Sequence, residues 1–170
     1  MTSSPRPAAV AGVLGLSLCA AATAAPVPDW SGRWQGELVN LPLRAGAPSV
    51  TVRAEIGPWP SAGSCSIWRR SFESTAHPPM TKDYLLCRSQ VGDDLYIDER
   101  DGVKLAAQLV GDTLLTPFKY GKLILLASTR LRGDVLEEEI VTVDDKPAVD
   151  GPLPLVARGV QRISLRRVTP

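Results

Sequence analysis

The sequence predicts an all-β protein, an up-and-down antiparallel barrel of about ten strands, on three observations. Beyond the first 25 residues no stretch keeps an apolar period of 3.6, so amphipathic helices are not expected. Short β-branched or aromatic runs recur with period two. Between them stand Gly and Asp pairs of the kind that turn a chain back on itself, because Gly or Asp supplies the positive φ of a two-residue hairpin turn.

Taken in order, strands are expected at 32–41, 49–57, 65–73, 82–89, 94–100, 103–110, 113–119, 122–132, 135–143 and 159–168. Val50, Val52, Ala54 and Ile56 alternate with Thr51, Arg53 and Glu55. Val103, Leu105, Ala107 and Leu109 alternate with Lys104, Ala106 and Gln108. Each set describes a strand with one face buried. Asp101-Gly102, Gly111-Asp112, Tyr120-Gly121 and Gly133-Asp134 join five successive strands into a meander. A long meander twists, and with no helices to cover its edges it is best closed into a barrel, ahead of the alternative of a β-sandwich. The Pro-rich segment from Lys146 to Pro154 is read as a loop crossing one barrel end before the last strand.

Residues 1–24 have the layout of a cleavable secretory signal peptide: Arg6 in a short polar start, an uncharged Ala/Gly/Leu/Val stretch, then Ala22-Thr23-Ala24 before the cut. The stretch is too short and too rich in small residues for a spanning helix. Residues 25–170 form the expected single barrel domain, secreted or periplasmic. Leu18 before Cys19 does not fit a lipidation signal. Loss of Arg6 takes the 19 basic residues to 18, equal to the 18 acidic ones. That neutral balance implicates neither nucleic acid nor an acidic membrane as partner. The basic positions Arg162, Arg166 and Arg167 alternate with apolar ones, as a solvated strand face does.

Two cysteines remain, Cys65 and Cys87, and in an oxidising compartment an even pair bridges. Pairing of 65–73 with 82–89 about residue 76, in the turn Thr75-Ala-His-Pro-Pro79, sets the two directly opposite one another, within disulfide reach.

The segment Asp29-Trp-Ser-Gly-Arg-Trp-Gln-Gly-Glu-Leu38 places Gly32-x-Trp34-x-Gly36 on the first strand. It resembles the Gly-x-Trp signature of the calycins, the barrel superfamily that includes lipocalins and fatty-acid-binding proteins. The resemblance extends to the meander and to a last strand bearing arginine. It implies a calycin-like barrel in which Trp34 closes one end beneath a last-strand arginine, here Arg162 or Arg166.

Candidate chemistry is sparse. Pairing about Gly133-Asp134 sets Arg130 opposite Glu137 and Ser128 opposite Glu139, an exposed charge ladder unless Arg130 points inward, where it could hold a ligand carboxylate. Glu138 shares the other face with Leu136 and Ile140, so one of Glu137 and Glu138 faces the interior. The single histidine, His77, lies in a Pro-flanked turn, poorly placed for a catalytic triad. Asp144, Asp145 and Asp150 lack the spacing of a calcium loop, and no metal or other cofactor is expected. The leading expectation is non-catalytic binding of a small apolar or amphipathic ligand within the barrel. Its inward candidates are Val52, Ala54, Ile56, Leu105, Ala107 and Leu109, with Arg130 as polar anchor. The alternative is an envelope protein-interaction module or inhibitor with a filled barrel, anchored on Trp59 in Gly57-Pro-Trp-Pro60 as an exposed aromatic. An enzyme of unknown class ranks third.

Overall fold

The computed structural model describes residues 29–147 and 149–169, and the expected signal at 1–24 lies outside the described residues. Ten strands follow in chain order: β1 (Gly32–Leu41), β2 (Val50–Ile56), β3 (Cys65–Ser74), β4 (Met80–Arg88), β5 (Leu95–Asp98), β6 (Lys104–Val110), β7 (Thr113–Tyr120), β8 (Leu123–Arg132), β9 (Val135–Asp144) and β10 (Ala157–Arg167). Each strand pairs antiparallel with its neighbours in sequence, and β1 pairs with β10, which closes the sheet into an up-and-down barrel. Closure removes both sheet edges, which a sandwich would have left open. Every expected strand is present, with ends displaced by no more than two residues.

The turns set the register. Val110 pairs with Thr113 around Gly111-Asp112, and Arg132 pairs with Val135 around Gly133-Asp134, as expected. The β7–β8 turn is displaced by one residue, to Gly121-Lys122, because Tyr120 pairs with Leu123. Pairing of β3 with β4 about residue 76 sets Cys65 against Cys87, and the two are joined by a disulfide.

The expected two-residue turn at Asp101-Gly102 is replaced by a longer loop. Arg100 takes a left-handed φ of 65° and the Glu99 N–H donates to the Val103 carbonyl at 3.0 Å, so Asp98 pairs with Lys104 and Ile97 with Leu105. That register puts Leu95, Ile97, Leu105 and Ala107 on one face, a match that a two-residue turn would have destroyed.

Strand alternation now fixes which side chains enter the barrel. Trp34, Val52, Ala54, Ile56, Trp68, Leu86, Leu95, Ile97, Ala107, Leu114, Leu136 and Leu165 are buried in one cluster toward the end where the chain enters and leaves. Val52, Leu136 and Leu165 have no solvent exposure, and burial of each such side chain contributes about 1.5–3 kcal/mol. The outward positions carry charge ladders. Arg69 donates to Glu55 at 2.8 Å and to Asp83 at 2.7 Å, and Arg162 donates to Glu139 at 2.7 Å. These pairs are solvent-exposed and individually worth little.

Candidate functional site

Trp68, Arg70 and Phe72 point inward in turn along β3, and Leu136, Glu138 and Ile140 do so along β9. These strands are not neighbours in the barrel, yet Arg70 meets Glu138 across the lumen. Arg70 Nε donates to Glu138 Oε1 at 2.8 Å, Nη2 donates to the same oxygen, and Nη1 donates to the Arg69 carbonyl at 3.0 Å. The guanidinium carbon also lies 4.7 Å from the Trp68 ring centroid. Arg70 is 5% exposed, so its charge is held away from water by a partner, a carbonyl and an aromatic face.

This pair divides the lumen. Toward the chain termini the interior is packed. Toward the opposite end Leu38, Phe72, Tyr84, Phe118, Leu125, Ala127, Ile140 and Thr142 all face inward but remain partly exposed. At the rim of this end a cleft of about 680 Å³ lies between the 42–49 loop and the first, eighth, ninth and tenth strands; its walls join inward Leu38, Leu125 and Thr142 to outward Val39 and Val160, and Phe72, Lys82 and Ala127 lie outside them. Its volume falls in the range of small-molecule sites.

Polar groups border this open half. Lys82 pairs with Arg70 in register, and its Nζ lies 5.9 Å from the Phe72 ring centroid. Burial, with the negative charge of Glu99 beside it, pushes the Tyr84 hydroxyl up to about 12, so this phenol stays neutral in the lumen. At the rim Asp144 accepts from Arg158 at 2.6 and 2.5 Å, and these hydrogen bonds hold its carboxyl below the ordinary range.

The candidates expected from sequence fall on both sides of the divide. Val52, Ala54, Ile56 and Ala107 do face inward, but they belong to the packed cluster, with Leu105 and Leu109 against it. Arg130 requires a correction. It lies on the outer face, where its Nε donates to Glu137 at 2.8 Å, and Arg132 shares the same carboxylate. The inward acid is Glu138 and the inward cation is Arg70, because strand alternation puts Arg70 in step with Trp68 and Phe72.

Trp59 requires another correction. It is half-buried and packs on the core; its ring meets Trp30 edge-on with centroids 5.6 Å apart, and Trp30 in turn lies 6.1 Å from Trp68. The residue preceding the first strand by two thus covers the loop that looked exposed. His77 sits exposed in the β3–β4 turn, on the rim of the open end.

At the closed end Trp34 is 1% exposed and its Nε1 donates to the Trp30 carbonyl at 3.0 Å. The arginine above it is Arg167, whose guanidinium carbon lies 4.3 Å from the ring centroid. Arg162 and Arg166 instead point outward to Glu139 and Asp134. Arg167 also donates to the carbonyls of Ser31 and, at 3.2 Å, Asp29. Gly32, at φ 129°, makes room for it, since a Cβ there would stand 2.6 Å from Arg167 Nη1.

Among the described residues no three His, Cys, Asp or Glu side chains are grouped to hold a metal ion, and no helix is long and apolar enough to cross a membrane. Comparison with protein-family models, curated proteins and solved structures finds no match to this chain.

Proposed function

We propose that this protein is an exported, calycin-like carrier that binds a small amphipathic molecule, without catalysis, in the open half of its barrel. One observation carries the reading: the lumen is packed on one side of the Arg70–Glu138 pair and lined by half-exposed apolar side chains on the other. A barrel that served only as a scaffold would gain by filling that volume with larger side chains. Thr142, on the wall of the rim cleft, and the half-exposed Ala127 are both small. Such a site buries an apolar body and offers a few polar groups to orient it.

The calycin likeness is supported by the way Trp34 and Arg167 close the barrel end, and export by the disulfide and the signal-like start. The filled-barrel interaction module loses its anchor, because Trp59 is engaged with Trp30.

Native mass spectrometry of protein from its own host tests the proposal. A single retained small molecule per chain, exchangeable for the neutral fluorophore N-phenyl-1-naphthylamine, is expected. Ligand-free protein that shows no saturable fluorophore binding would count against a carrier.

A further inference from the structure

We infer that Lys82 holds the head group in this site and that the ligand is an anionic amphiphile, one carboxylate or sulfonate on an apolar body; the inference rests on the carrier reading above. It follows from the pairing of charges inside the barrel. Arg70, Lys82 and Glu138 face the lumen together, and Glu138 is consumed by Arg70. Among the described residues Lys82 makes no ion pair; its Nζ lies instead 5.9 Å from the Phe72 ring.

The other nearby acids are engaged elsewhere. Asp144 is held by Arg158 at the rim, and the negative charge of Glu99 stands beside the Tyr84 hydroxyl. Lys82 thus keeps an ammonium without a contacting carboxylate at a half-buried position, where a counter-charge is worth more than in bulk water. An anionic ligand supplies that counter-charge. A cationic ligand is repelled by that ammonium, and a neutral one leaves it unpaired. Phe72, beside Lys82, offers an apolar wall to the body that follows the head group.

Two probes of similar size separate the contributions: anilinonaphthalene sulfonate, which is anionic, and N-phenyl-1-naphthylamine, which is neutral. Titration of each into the intact protein and into Lys82→Met, Lys82→Gln and Lys82→Arg, with melting curves to confirm folding, reads the effect. The sulfonate should lose about tenfold in affinity in Lys82→Met and Lys82→Gln, the ratio that about 1.4 kcal/mol carries, and keep most of it in Lys82→Arg. The neutral probe should change less than twofold. If both probes bind the parent and the Lys82 variants weaken neither, or weaken both alike, Lys82 is not the anchor and the carrier reading stands. If neither probe binds the parent protein, the carrier reading fails and this inference with it.

Discussion

The guanidinium of Arg167 lies over the indole of Trp34, 4.3 Å from its centroid, and ties the last strand to the residues that precede the first. Cation–π attraction and two carbonyl contacts act together here, so Arg167→Met should destabilise by about 1–2 kcal/mol. Arg167→Lys should not restore the loss, since an ammonium cannot stack flat and donate to both Ser31 and Asp29. Urea denaturation of the three proteins checks this.

The Arg70–Glu138 pair should behave as buried pairs do when broken. Glu138→Ala leaves a guanidinium without its partner in the lumen and should cost about 3–5 kcal/mol. The double variant Arg70→Met/Glu138→Leu should recover most of that loss, a coupling that a double-mutant cycle measures.

Gly36 pairs with Leu165 between β1 and β10, and a Cβ there would overlap the Ser164 backbone oxygen. Backbone cannot swing aside as a side chain can. Gly36→Ala should therefore cost at least the 1–3 kcal/mol typical of overpacking, in roughly the range that Trp34→Ala incurs by leaving a cavity. Thermal melts of both variants test it.

Stability should fall in alkali through Tyr84. Its hydroxyl ionises near 12 when folded, pushed up by burial and then by Glu99, but near 10 when unfolded. The unfolded state thus loses its proton first, and the contribution, complete below about pH 10, is lost as pH rises to about 12. Tyr84→Phe should remove that part of the alkaline slope. Denaturation midpoints of both proteins across this window provide the measurement.

The backbone was more legible than the site, for reasons visible in single residues. The Cys65–Cys87 alignment and the Gly133-Asp134 turn depend only on neighbouring strands, so local pairing rules reach them. Arg100 defeated the same rules, because a non-glycine residue in the left-handed region has no sequence signal and shifts the register by one. Arg70 and Glu138 are 68 residues apart on strands that do not touch in the sheet, so no hairpin geometry joins them. Alternation from Trp68 and Phe72 was the one signal that could have marked Arg70 as inward, and the expectation that arginine faces water hid it. The same parity, counted from Ile163 and Leu165, selects Arg167 over Arg166. Trp59 looked exposed because the loop that holds it is short and Pro-flanked; Trp30, far away in sequence, covers it.

Probe binding to two filling variants tests the open lumen most directly. Ala127 faces the open half between Thr116 and Ile140, whereas Ala107 lies in the packed cluster at 8% exposure. Ala127→Trp should fold with near-parental stability and lose saturable binding of N-phenyl-1-naphthylamine. Ala107→Leu should cost about 1–3 kcal/mol and leave the binding intact. The opposite pattern, with Ala127→Trp strongly destabilised and binding undiminished in the folded fraction, would contradict an open, ligand-holding upper lumen.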